Sequence, residues 1–457
     1  MSELPNAIIT VLAIFQPLFS RPVWKNAQLL LLGAILCPRE RTIAAILRVL
    51  GLSNEKKFDR FHWVLSAANW SIFKASKLLL FLIIKIFSLD KRVEIVVDET
   101  LEKRKGEKIK FLGFYRDSCS SSRHNKVCRF GLRWLVFTVI VVLPWSKRKW
   151  ALPFLTILGR PKKGLKSSKN PIDHNDKIKR KTAIKYTEQV VMLIRKWLGN
   201  DVRVVLVGDG AFACYSLACI CKKTKVKFVS RLRWDAALYD FPKNESGRGR
   251  PKIKGKKLPK PEILLEDPTQ IWLKGTVKWY GKIDKEVEYL SGKCLWLRTE
   301  KQSAPIRWII IKDPKGEYDP CVIFETLLDG DLDSIELTIE EFVDRSSIEV
   351  TFQEVNSHLG FGTQRQWSNK AIERTTPCLL GIFSIVCILC KNLLDEKQKI
   401  LTIQKTAWYK KSEGTFSDVI REVKATLWKT KFLRSLKKTE CTKIDIEEVA
   451  ALLLEYG

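Results

Sequence analysis

The sequence predicts an α/β protein: an α/β mixed sheet flanked by helices, preceded by a helical N-terminal region and interrupted by a β-rich insertion. Three observations carry this reading. Over residues 1–90 apolar side chains recur at three- and four-residue spacing. From residue 91 the pattern changes to short β-branched runs that bracket a helix-period segment. Residues 262–330 alternate as strands, with few helix signals.

Taken in order, "WKNAQLLLLGAILC", "RTIAAILRVLGLS" and "FDRFHWVLSAANWSIFKASKLLLFLIIKIF" read as helices, separated by connections that carry Pro38, Gly51 and Asn54. Arg39, Arg41, Arg48, Lys56, Lys57 and Arg60 decorate them. A compact helical DNA-binding domain and a basic bundle with solvated charges fit this decoration equally. "VEIVVD", "GLRWLVFTVIVVLPW", "VRVVLVGDG" and "VKFVSRLRW" follow as strands, with "AIKYTEQVVMLIRKWL" a helix between the second and third. The insertion contributes "TQIWLKGTVKWYG", "EVEYLSG", "KCLWLRTE" and "IRWIIIKDP". The predicted boundaries are 1–90, 91–240, 241–335, 336–395 and a helical tail at 396–457.

Lysine and arginine number 81 against 50 acidic residues, a formal charge of +31 spread along the chain, which favours a polyanion and nucleic acid before membrane. Two linkers concentrate it. Residues 160–181 are basic and rich in Pro, Gly and Ser, as an exposed loop following a phosphate backbone would be. Residues 243–260 contain "GRGRPK"; Arg248, Arg250, Lys252, Lys254, Lys256 and Lys257 suit either DNA contact, in a narrow minor groove or along phosphates, or a flexible connector. The apolar runs at 78–84 and 134–145 are well short of the 18 or more residues of a membrane span. The first twenty residues lack a basic n-region and a small-residue cleavage site, so a cytoplasmic protein is expected. The 12 cysteines then read as thiols, with "CILC" a pair of small core hydrophobes. His62, His124, His174 and His358 are scattered singly, which leaves oxygen ligands as the route to a metal.

Three carboxylates stand out by context. Asp98 ends the buried strand "VEIVVD", and Asp209 lies just beyond "VRVVLVG". A carboxylate where an apolar strand ends needs hydrogen bonds, a basic partner or a cation to replace its lost hydration. The C-terminal edge of such a sheet is also where α/β proteins place ligands. Each Asp taken alone fits a turn or cap better than a metal site. The third is Glu349, on a helix expected to begin at a capping box formed by Thr338 and Glu341 and to run to Leu359, with Gly360 as its stop. At 100° per residue Ile348, Phe352, Val355 and Leu359 form the apolar stripe, and Glu349 borders it beside Arg345. Glu354 falls about 140° away and is expected in solvent.

"VVDETLEKR", "FLGFYRDSCSSS", "WALPFLTIL", "VGDGAFA", "GRGRPKIKG", "VKWYG" and "RSSIEVTFQEVNSHLGFGTQRQWSNKAIERTTP" together resemble bacterial insertion-sequence transposases of the DDE superfamily, in order from about residue 20 to 395. The resemblance implies an RNase H-like catalytic domain interrupted by the insertion, with Asp98, Asp209 and Glu349 as an Asp-Asp-Glu triad for Mg²⁺, or Mn²⁺ in its place. The family's Tyr-x2-Arg-x3-Glu-x6-Lys signature falls on Phe342, Arg345, Glu349 and Asn356. Arginine and glutamate match; the tyrosine and lysine do not, which weakens a charged DNA contact at Asn356. Ser346 stands where many relatives carry tryptophan.

The resemblance further implies DNA partners, the element's terminal inverted repeats and its target. It also implies a homo-oligomer assembled on the ends, hydrolysis that frees 3′ ends, and direct transesterification into target DNA. Arg345 then contacts a phosphate or orients Glu349 as an ion pair. Two other readings stay open: an inactive or repurposed DNA-binding protein of the same fold, and an RNase H-like nuclease.

Overall fold

The computed structural model describes residues 4–117, 120–122, 125–161, 181–242, 252–280, 282–299, 302–328 and 333–436. Five helices come first: α1 (Asn6–Ala13), α2 (Arg21–Leu36), α3 (Ile43–Val49), α4 (Asp59–Ser66) and α5 (Ile72–Ile86). Thr42 and Ser71 begin α3 and α5, their hydroxyls accepting from the N–H groups of Ala45 and Lys74. The helix-period run from Phe58 to Phe87 is therefore two helices. Its break is held open by Arg374, whose buried guanidinium donates to the carbonyls of Val64, Leu65, Ala68 and Trp70 and lies 4.4 Å above the Trp70 ring.

The chain then forms β1 (Arg92–Lys103), β2 (Gly113–Arg116), β3 (Cys128–Val142), β4 (Lys149–Gly159), α6 (Ala183–Leu198), β5 (Arg203–Gly208), α7 (Tyr215–Lys223) and β6 (Val226–Arg231). β3 pairs antiparallel with both β1 and β4, whereas β1, β5 and β6 run parallel. The order β4-β3-β1-β5-β6 with one reversed strand is an RNase H-like sheet. Val93, Ile95, Val96 and Val97 of β1 are wholly buried, each worth roughly 1.5–3 kcal/mol of apolar burial.

After β7 (Leu238–Tyr239), the insertion supplies α8 (Pro261–Glu266), β8 (Leu273–Trp279), β9 (Lys282–Thr299), β10 (Gln302–Lys312) and β11 (Cys321–Thr326). "EVEYLSG" and "KCLWLRTE", separate in the sequence reading, are one strand, β9. β11 pairs antiparallel with β6 through Ile323, Phe324 and Glu325, and β10 and β9 follow. The insertion therefore prolongs the same sheet to 11 strands.

Four helices complete the described chain: α9 (Ile335–Asp344), α10 (Ser347–Leu359), α11 (Asn369–Lys397) and α12 (Phe416–Leu436). The single helix expected from Thr338 to Leu359 is thus corrected to two. The cap is Ser334, which accepts from Leu337 N, and the ladder breaks at Arg345 and Ser346. Neither Thr338 nor Glu341 caps anything. Both are wholly buried in a polar network that fastens α9 to the sheet. Lys227 Nζ reaches Glu325 at 2.8 Å, Asp333 at 2.9 Å and Glu341 at 2.7 Å. Arg92 pairs with Glu341 and Asp333, Arg307 with Glu325, and Arg203 with Asp333.

α11 is long and apolar enough to cross a membrane, a property the sequence reading passed over, but 78% of its apolar window is buried inside the molecule. Cys387 and Cys390 are core side chains there. One hydrophobic cluster joins Ile8 of α1, strands of the sheet, α11 and Val423 of α12, so residues 1–90 share the main core, while Val277, Ile309, Ile323 and Ile339 belong to a second, smaller cluster between the insertion and α9.

Candidate active site

β1 and β5 are parallel neighbours whose last registered pair is Val97 with Gly208. Asp98 and Asp209 are the next residues on the two strands. They emerge side by side at the C-terminal edge of the parallel strands, about 4.8 Å apart by strand spacing. At Asp209 the chain turns: its carbonyl accepts from Phe212 N at 3.0 Å and from Ser230 Oγ at 2.7 Å, and its carboxylate from Ala211 N at 3.0 Å. Gly208 permits the turn, since a Cβ there would meet Phe212 Cβ at 3.0 Å.

The break between α9 and α10 brings in the third carboxylate. Arg345 Nη1 lies 3.2 Å from Glu349 Oε1, one helical turn on, and 3.6 Å from Asp98 Oδ2. One guanidinium thus joins the carboxylates of β1 and α10. Asp98 is largely covered, its side chain 18% exposed, and its other oxygen accepts from Glu99 N at 2.7 Å. Burial pushes its carboxyl up to about 7; Asp209 and Glu349 push the same way, while the Glu99 N–H and Arg345 oppose them. Glu99 is also raised, by burial first and Asp209 second, against the pull of Arg133 at 3.6 Å. Asp98, Asp209 and Glu349 therefore share one field, with Arg345 the cation that faces two of them.

Among the described residues no three His, Cys, Asp or Glu side chains close tightly round a point, because Arg345 stands between Asp98 and Glu349. The donors nonetheless suit a hard divalent cation. They are carboxylate oxygens only, one is deprived of water, and they repel one another in the cation's absence. Asp98, Asp209 and Glu349 are the residues that would hold it.

Glu354 is corrected. It is 22% exposed against 60% for Glu349, and pairs with His358 at 3.2 Å on the side of α10 that meets α11 and α12. Asn356 is exposed, two turns beyond Glu349 on α10. Tyr280, in the turn between β8 and β9, was missed by the sequence reading. With Arg148, Lys149, Ser346, Glu349 and Gln353 it lines a cavity of about 370 Å³ beside α10. Burial raises its hydroxyl pKa and Arg345 opposes the shift, so the insertion reaches the field of the carboxylates. The available signal was an aromatic followed by a glycine in "VKWYG".

Lys252, Lys254, Lys256 and Lys257 are exposed along a segment that pairs with β7 through Lys257 and Tyr239, and Lys254 lies 4.8 Å over the Tyr239 ring. β7 ends the strand order, five strands beyond β5. Arg248 and Arg250, and most of the 160–181 linker, lie outside the described residues.

The family model described as DDE superfamily endonuclease matches residues 15–282, well over half of the chain. The chain belongs to the DDE superfamily endonuclease family. No curated protein matches it. The matched span takes in Asp98 and Asp209 and ends before Glu349, whose placement rests on the geometry above. Membership supports a metal-dependent nuclease with DNA as its substrate.

Proposed function

We propose that this DDE endonuclease is a transposase that cuts at the ends of its own insertion sequence and joins the freed 3′ ends to target DNA. The observation that carries the reading is the convergence of Asp98 and Asp209, in register on neighbouring parallel strands, with Glu349, held to Asp98 through Arg345. Asp98, Asp209 and Glu349 hold Mg²⁺, or Mn²⁺ in its place. A bound divalent ion supplies charge neutralisation at the phosphodiester and lowers the pKa of the attacking water or hydroxyl.

The chain's own residues do the rest. Burial of Asp98 keeps competing water from one side of the site. Arg345 exchanges its carboxylate partners for the phosphate, a ligand its planar fork suits equally well. Lys252, Lys254, Lys256 and Lys257, with Arg248 and Arg250, follow the DNA backbone, and Asn356 lies toward the DNA ends. The protein works in the cytoplasm on nucleoid DNA, as a homo-oligomer assembled on two ends.

The test is cleavage of DNA carrying the terminal inverted repeats that flank the gene, at fixed Mg²⁺ and salt, for Glu349→Gln and Glu354→Gln in parallel. Glu349→Gln should lower cleavage by about 10²–10³-fold or more while end binding stays within about twofold. Glu354→Gln should cleave normally. The seat of Arg345 between two carboxylates also favours a second reading, a fold kept for DNA binding alone. A parent protein that binds its verified ends and does not cleave them would establish that one.

A further inference from the structure

The strand and the helix that carry the carboxylates both lead to a second site. From Asp98, β1 continues for five residues to Lys103, about 17 Å. From Glu349, α10 continues for ten residues to Leu359, about 15 Å, and passes into the loop Gly360–Trp367. The two meet again: Arg104 donates to Glu102 and to the carbonyl of Gln366, and Lys108 lies 5.3 Å over the Trp367 ring. Between them opens a cavity of about 740 Å³.

Its lining has three components. The first is aromatic and exposed. Phe114 of β2 and Phe130 of β3 form a cross-strand pair with ring centroids 4.8 Å apart, 61% and 44% exposed, and Trp367 is 57% exposed. The second is cationic: Lys105 and Lys108 are exposed, and Arg129 and Arg365 also line the cavity, the first paired with Asp117 and the second with Glu40. The third is Gln364, 3% exposed, whose amide oxygen and nitrogen both lack a hydrogen-bond partner.

Exposed rings leave apolar area in water, and a buried amide with neither group satisfied bears its full desolvation cost, so both call for a ligand. That ligand has a flat π-face, a hydrogen-bonding edge and negative charge. We infer that this cavity is a subsite for an unpaired DNA nucleotide, its base stacked on Phe114, Phe130 or Trp367 and its edge read by the Gln364 amide. The cations take the flanking phosphates. A primary amide matches the donor–acceptor pair of adenine N6 and N7. The separation from the carboxylates, about 15–17 Å, corresponds to about five base steps at ~3.4 Å each. The inference rests on the functional reading above only for DNA as the polyanion; it needs neither metal nor cleavage.

The experiment measures binding of the full chain, without divalent metal, to single-stranded dA15 and dT15 and to a paired duplex of the same length. Phe114→Ala/Phe130→Ala and Trp367→Ala should each weaken single-strand binding by roughly 5- to 150-fold and leave duplex binding within about twofold. All three rings are exposed, and circular dichroism verifies that the variants fold. Gln364→Leu should keep single-strand binding and abolish the preference for dA15 over dT15. Aromatic variants that bind single strands like the parent overturn the subsite, as does equal loss on single strands and duplex. An acidic peptide that competes with dA15 while neutral peptides do not, with no effect of the ring substitutions, would assign the surface to protein. Loss of cleavage with these binding differences intact defeats the transposase reading alone.

Discussion

The two edges of the parallel strands carry charge in opposite ways. At the N-terminal edge Arg92, Arg203, Lys227 and Arg307 meet Glu325, Asp333 and Glu341, and Lys227 alone contacts all three acids within 3 Å. Against the upward push of burial, Lys227 and Arg92 hold Asp333 below the usual carboxylate range. At the C-terminal edge Arg345 faces Asp98 and Glu349, with Asp209 next to Asp98, and Asp98 is held far above that range. One edge is compensated from within and locks α9 in place. The other is left short of positive charge, the condition expected where a cation and a phosphate complete a site. The same sheet thus separates holding from doing.

The largest expected effect sharpens that contrast through stability. Lys227→Met should destabilise the fold by about 3–5 kcal/mol, since it leaves buried acids short of a partner. In the same urea denaturation Glu349→Gln should stay within about 0.5 kcal/mol of the parent. Equal losses would dissolve the distinction between the edges.

A second prediction uses pH. Asp98 keeps its proton to about 7 in the fold and to about 3.8 in the unfolded chain. Between those values the folded state binds more protons, so its stability falls as pH rises. Asp98→Asn removes that loss and should be more stable than the parent by about 2 kcal/mol at pH 8, with little difference below pH 4. Mg²⁺ should narrow the gap at pH 8 by stabilising the parent only. A gain that persists undiminished at pH 3.5 would locate its cause in packing.

The smallest effect concerns the bridging guanidinium. Arg345→Gln removes the one side-chain cation that opposes the upward shift of Asp98, so the decline in stability from pH 4 to 8 should deepen by about 0.5–1 kcal/mol. An unchanged slope would mean that Arg345 does not act on Asp98 in solution.

Much of this organisation was legible in the sequence. "VEIVVD" and "VRVVLVGDG" announce buried strands that lead to Asp98 and Asp209, and their parallel pairing puts the two together, although β1 runs on past Asp98 to Lys103 instead of ending there. The adjacency of Arg345 and Glu349 followed from a helical turn, although the two residues flank the start of α10 instead of sitting in mid-helix. The break itself was hidden because the apolar period runs on across it, and Ser346 and Ser347 suit a helix surface or an end equally. Glu341 carried no local sign of its role, since its partners Arg92 and Lys227 are more than 100 residues away. Glu354 was misplaced for a related reason. A helical wheel locates a residue relative to its own stripe and knows nothing of α11 and α12 packed on the other side.

The guanidinium of Arg374 has a consequence for the order in which the protein is made. The carbonyls of Leu65, Ala68 and Trp70, at the end of α4 and just beyond it, accept from a residue about 300 positions further along the chain. Throughout synthesis of the sheet, the N-terminal helices have neither that cap nor the apolar face of α11 to rest on. They are born first and completed last. A fragment cut at residue 90 would leave Leu79 and Ile83, buried in the intact protein, in contact with water and would be prone to self-association. In biosynthesis the beginning of this chain depends on its end.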